Sequence, residues 1–120
     1  RPYCHVRDFA RLIDLVIQSA PEKVNFEVFN AGGEVNNYTK KMLVDIIQSF
    51  IPAAKIKYVA NGSDPRNYKV SFNKVKNTLG FEPKFTIEDG VEELINAFSY
   101  GIFSDSLQHK ENYGNYEVNY

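Results

Sequence analysis

Three stretches of this 120-residue chain carry apolar residues at helical spacing, and each meets a residue that stops its continuation. Phe9, Leu12, Ile13, Val16, Ile17 and Ala20 form the first stripe, which ends at Pro21. Leu43, Ile46, Ile47, Phe50 and Ile51 form the second, between Thr39 and Pro52. Ile87, Val91, Leu94, Ile95 and Phe98 form the third, after which the pattern fades at Gly101. Asp8 precedes the first stripe, where a carboxylate can cap free amides and meet the positive end of the helix dipole. Thr86-Ile87-Glu88-Asp89 has the spacing of a capping box, with Asp in place of Glu.

The segments between the stripes alternate. Asn25 to Asn30 places Phe26 and Val28 between polar residues and predicts a short strand before the turn at Ala31-Gly32-Gly33. Lys55 to Ala60 predicts a second strand, and Asn61 to Pro65 a loop. Tyr68 to Ser71 is expected to be extended, followed by a short helix that Ser71 caps and Gly80 ends. The expected fold class is therefore α/β: a small domain of about three amphipathic helices and short strands, with too few strands for a full doubly wound sheet. Residues 1–103 form this domain, and 104–120 a polar tail with spaced tyrosines.

Composition narrows the function classes. Lys and Arg number 14 against 15 Asp and Glu, so the chain lacks the basic excess of a general nucleic-acid or anionic-membrane surface. No apolar run approaches the roughly 20 residues of a membrane span. Cys4 is the single cysteine and no Cys/His cluster has metal-ligand spacing, which fits a reducing, cytoplasmic setting. The chain opens directly on Arg1-Pro2-Tyr3 and its only methionine is Met42, as expected of a fragment of a longer protein.

Catalytic patterns are missing from the sequence. The chain has no Gly-x-Gly-x-x-Gly turn, no phosphate loop, no Gly-x-Ser-x-Gly elbow and no Tyr followed four residues later by Lys. His5 has two readings, a general base or a strand histidine hydrogen-bonded to backbone. Binding residues are easier to find. Arg1 and Arg66 each neighbour a proline, with an aromatic two residues on, in segments expected to be extended or turned. Asn36 and Asn37 follow the double glycine just before a helix, where amides and helix N-terminal N–H groups can meet an anion. Together these groups would suit a diphosphate. The same arginines would also fit surface ion pairs worth ~0–1 kcal/mol each.

Four segments, in order, resemble a known family. Arg1-Pro2-Tyr3-Cys4-His5-Val6-Arg7-Asp8-Phe9-Ala10 is similar to the Arg-x-[Trp/Tyr]-x-[His/Tyr]-Val-x-Asp-x-Ala segment of NAD-dependent nucleotide-sugar epimerases and dehydratases, the extended short-chain dehydrogenase/reductases. Phe29-Asn30-Ala31-Gly32-Gly33 resembles that family's Phe-Asn-x-Gly-Gly strand end. Asp64-Pro65-Arg66 through Lys74 and Leu79-Gly80-Phe81-Glu82-Pro83 resembles its Asp-x-Arg…Lys…Leu-Gly-[Trp/Phe]-x-Pro run, and Thr86 to Val91 completes the series.

The resemblance implies the C-terminal, substrate-binding part of such an enzyme, without the dinucleotide-binding Rossmann core. It implies that Arg1 and Arg66 contact the diphosphate of a nucleotide sugar, with Asn36 and Asn37 near its nucleotide. NAD and the catalytic residues would belong to an N-terminal Rossmann domain absent from this chain, and the full-length enzyme would be a homodimer. No catalytic residue carries over, and the fragment alone is expected to be inactive. A non-catalytic nucleotide-sugar binding module is the alternative. Arg7 stands where the family often has an acidic residue, as an extra phosphate contact or an exposed side chain.

Overall fold

The computed structural model describes residues 1–57, 68–106 and 108–109. Its helices in chain order are α1 (Val6–Gln18), α2 (Pro21–Val24), α3 (Lys40–Phe50), α4 (Asn73–Leu79) and α5 (Ile87–Ser99), with one 3₁₀ turn at Glu34–Asn36. The three predicted amphipathic stripes are α1, α3 and α5. Thr39 caps α3 by accepting a hydrogen bond from the Met42 N–H at 3.2 Å. The capping box of α5 is complete: the Asp89 N–H donates to the Thr86 hydroxyl, and Asp89 accepts from the Thr86 N–H at 2.7 Å. Gly80 ends α4 at φ 66°, the left-handed conformation that a Cβ penalises. Pro21 opens α2 at its first position instead of merely ending α1, a place where its missing N–H costs nothing.

The start of α1 differs from expectation. His5 is the cap, its Nδ1 accepting from the Arg7 N–H at 3.2 Å, and Asp8 lies within the first turn of the helix. The Asp8 carboxylate is fully buried and reaches across the chain. It accepts from the Lys84 N–H at 3.0 Å and the Phe85 N–H at 2.9 Å, and it pairs with Arg11. One carboxylate thus ties α1 to the segment that leads into α5. Burying a charge demands such complete pairing.

The expected strands are a correction. Among the described residues there is no β-ladder, only an antiparallel bridge between Pro2 and Asn37. Residues 25–30 are not paired as a strand, and the Lys55–Ala60 strand is absent over 55–57, its remainder lying outside the described residues. Around residues 70–72, the segment expected to be extended is held by side chains. Asn37 both donates to the Val70 carbonyl (3.1 Å) and accepts from the Val70 N–H (3.2 Å). Asn30 donates to the Ser71 carbonyl, and Glu34 accepts from the Phe72 N–H. Period-two alternation marks an extended segment but cannot supply the second strand that makes it a sheet.

The core is small: Leu12, Phe72, Val75 and Phe81 are buried, with Leu15, Val16, Phe29, Ala31, Val70 and Leu79 packed around them. The double glycine belongs to this packing. A Cβ on Gly32, at φ 139°, would come within 2.8 Å of the Phe72 ring, and one on Gly33 within 2.7 Å of Pro83. The turn is small because an aromatic ring and a proline ring close on its backbone.

Candidate functional site

The Pro2–Asn37 bridge is what positions Arg1. The Tyr38 N–H donates to the Arg1 carbonyl at 2.9 Å, the Arg1 amine donates to the Tyr38 carbonyl at 2.7 Å, and the Tyr3 N–H donates to the Asn36 carbonyl at 2.9 Å. Arg1 therefore stands beside Asn37 and Thr39, at the start of α3. From the other side Tyr68 approaches, with the Arg1 guanidinium 5.9 Å from its ring centroid. Arg1, Asn37, Thr39, Tyr68, Lys69 and Glu34 surround an open cavity of about 370 Å³.

The charges around this cavity are unequal. Arg1 and Lys69 are cationic, Glu34 anionic, and Glu34 Oε2 lies 3.4 Å from Lys69 Nζ. The dipole of α3 adds a partial positive charge where Thr39 begins it. An anion entering here meets a guanidinium, an ammonium and a helix start, and must compete with one carboxylate. Tyr38 stays a neutral phenol, since burial first and the charge of Glu88 second push its pKa above the ordinary value.

The four residues singled out from the sequence fall in different places. Arg1 and Asn37 share the cavity. The Asn37 amide is committed to Val70, so its structural work is to hold Tyr68 and Lys69 near Arg1. Asn36 is buried and its Oδ1 has no hydrogen-bond partner among the described residues; it borders a second, larger cavity instead. Arg66 lies outside the described residues, as do Tyr113, Tyr116 and Tyr120. Tyr68, Lys69 and Glu34 were not singled out in advance. The Tyr68-Lys69 pair, just beyond Asp64-Pro65-Arg66-Asn67 in the sequence, was the available signal.

The second cavity, about 590 Å³, lies between residues 3–6 and α5 and is mainly apolar, with Phe85, Leu94 and Phe103 in its wall. His5 sits at its edge, stacked on Phe85 at 4.6 Å, its Nε2 3.2 Å from Glu93 Oε2. An Nδ1 that accepts from backbone leaves the proton on Nε2, facing the carboxylate. His5 is a cap and a tether. Arg7 also pairs with Glu93, at 3.1 Å, and lies over the Phe85 ring. Burial raises the Cys4 thiol pKa, with the Asp8 charge adding to it, which disfavours a reactive thiolate. Among the described residues no group of three or more His, Cys, Asp or Glu side chains could hold a metal, and no helix is long and apolar enough to cross a membrane.

Comparison with known proteins points one way. No family model matches the chain, and no solved structure matches it significantly. Three curated proteins of Arabidopsis thaliana do. UDP-glucuronic acid decarboxylase 4 is 31% identical over 106 residues, covering 85% of this chain and 24% of that protein. UDP-glucuronic acid decarboxylase 2 is 30% identical over 106 residues, with the same coverage. UDP-glucuronic acid decarboxylase 1 is 27% identical over 103 residues, covering 82% of this chain and 23% of that protein. The chain is thus distantly similar to UDP-glucuronic acid decarboxylases and spans about a quarter of their length.

Proposed function

We propose that this chain is the diphosphate-holding segment of an enzyme that acts on a nucleotide sugar, of the NAD-dependent epimerase/dehydratase type. The observation that carries the reading is the cavity around Arg1. A short antiparallel bridge pins its backbone, a helix start lies beside it, and Lys69 adds a second cation. A planar guanidinium offers paired N–H donors to phosphate oxygens, which an ammonium cannot reproduce. The similarity to three UDP-sugar enzymes supports the same substrate class and favours UDP among nucleotides. Arg66 is the second guanidinium of this proposal.

NAD does not fit the residues present. The sequence has no glycine-rich strand-to-helix turn and no Tyr-x-x-x-Lys, so no chemical step is assigned to this chain. Its contribution is placement: reacting atoms must be aligned closely, and a diphosphate held at two arginines fixes the sugar that hangs from it. Redox chemistry at the sugar would belong to polypeptide outside the 120 residues.

Titration calorimetry of the chain with UDP tests this. Loss of one charge-assisted hydrogen bond is worth about 1.5–3 kcal/mol, so Arg1→Ala should weaken UDP binding by roughly 10- to 150-fold, and Arg66→Ala similarly. Arg1→Lys should recover only part of the loss. Equal affinity in wild type and both alanine variants would return the arginines to surface ion pairs. NAD should give no heat of binding.

A further inference from the structure

The cavity around Arg1 holds one group that an anion site does not need, the carboxylate of Glu34. Glu34 opens the 3₁₀ turn, and its two oxygens do different things. Oε1 accepts from the Phe72 N–H at 3.2 Å, which fixes the side chain and ties the turn to the start of α4. The carbonyl oxygen of a glutamine could accept that hydrogen bond too, so the bond does not require a charge. Oε2 lies 3.4 Å from Lys69 Nζ, on the side of the cavity's cations.

The pairing with Lys69 does not account for the charge either. The two side chains are 73% and 47% exposed, and a water-screened pair of that kind adds little to stability. The remaining effect of the negative charge is on an anion that enters beside Arg1 and Lys69. A nucleotide sugar and a free nucleoside diphosphate share the diphosphate but differ in charge. The sugar ester carries two negative charges. The free diphosphate carries a third above about pH 6, where its terminal phosphate loses a second proton. At about 6 Å in a water-filled cavity, each ligand charge that meets one carboxylate costs about threefold in affinity. Arg1, Lys69 and the start of α3 attract both ligands, and Glu34 subtracts more from the one with the third charge.

We infer that Glu34 is a specificity-determining residue, which tunes the site to the diphosphate diester of a nucleotide sugar and against the free nucleoside diphosphate. The inference rests on the reading of the Arg1 cavity as a diphosphate site. Free nucleoside diphosphate is what remains once a nucleotide sugar has given up its sugar, so substrate and spent carrier compete for one pocket. A carboxylate fixed beside the cations lowers that competition and takes no donor away from the substrate.

Calorimetry of the chain with UDP and with UDP-glucose at about pH 8, in wild type and Glu34→Gln, tests it. Glu34→Gln should tighten both ligands, UDP about threefold more than UDP-glucose. Salt at about 0.5 M should shrink that difference, because a screening length of about 4 Å leaves little interaction across the cavity. An equal gain for both ligands, or none, would overturn the inference and leave the Arg1 clamp standing. A weaker affinity for UDP-glucose in the variant would mean that the carboxylate bonds the sugar, which also overturns it. If neither ligand binds to either protein, the diphosphate reading itself fails and the inference with it. The Tm of Glu34→Gln should stay within about 2 °C of wild type, since the bond from the Phe72 N–H survives. A fall of ~5 °C or more would make Glu34 a structural joint and overturn the specificity role.

Discussion

Removing the Asp8 carboxylate should be among the most damaging single changes in this chain. The group is fully buried, accepts hydrogen bonds from two backbone N–H groups of the 84–85 segment, and pairs with Arg11. In Asp8→Ala both N–H donors lose their acceptor, at about 1–3 kcal/mol each. Arg11 is partly exposed (37% of its side chain) and can turn to water, so its share is small. The sum is about 2–6 kcal/mol, a range that includes the cost of breaking a buried ion pair. Asp8→Asn keeps the volume and one acceptor oxygen but aims an amide N–H at a backbone donor; about 2–3 kcal/mol is expected. With a urea slope of ~1.5 kcal/mol/M, Asp8→Asn should lower the unfolding midpoint by about 1.3–2 M, followed by circular dichroism. Hydrogen exchange should show the 84–86 amides opening before α4. A loss below ~1 kcal/mol in both variants would refute the tether, since two orphaned donors cannot cost so little.

Further expectations concern the turn, the side-chain ladder and acid stability. Gly32→Ala should destabilise by ~2 kcal/mol or more, through both its φ of 139° and the 2.8 Å approach to Phe72; denaturant titration checks this, and a neutral result would mean the Phe72 ring moves freely. Asn37→Leu removes both hydrogen bonds to Val70 and should cost about 1–3 kcal/mol while speeding amide exchange at Lys69 and Val70. Thr86→Ala should cost about 1 kcal/mol through loss of the α5 cap, with helix content reporting the fraying. Asp89, whose pKa is lowered by hydrogen bonds from the Thr86 N–H and hydroxyl, contributes stability that is present above its ordinary value of 3.8 and lost as pH falls through the folded value. The acid limb of a stability–pH curve should therefore flatten in Asp89→Asn and only partly in Thr86→Ala, which keeps the backbone N–H at 86, and an unchanged limb in Asp89→Asn would contradict the capping box.

How legible this was in the sequence varies by the kind of signal. Helices α3 and α5 were readable because their caps are local: Thr39 and the Thr86–Asp89 pair need only residues three apart. Gly80 was readable for the same reason. Asp8 was seen as a cap but not as a tether, because its partners lie 76 and 77 residues away. The strands failed since alternation at 25–30 does not say what lies alongside; the side chains of Asn30, Glu34 and Asn37, not a neighbouring strand, hold residues 70–72. Of the candidate residues, Arg1 was singled out by its proline and aromatic neighbours and lines one cavity, whereas Asn36 and Asn37, adjacent and identical in type, border different cavities. That division is set by the 3₁₀ turn at Glu34–Asn36, which composition does not encode.

The most direct test of the anion clamp is an amide chemical-shift titration of the chain with UDP and, in parallel, with uridine. UDP should move the signals of Asn37, Tyr38, Thr39, Tyr68 and Lys69 together, uridine should leave them nearly still, and Arg1→Ala should remove the UDP response. Equal shifts with uridine and UDP, or UDP shifts confined to the apolar cavity beside α5, would contradict the account.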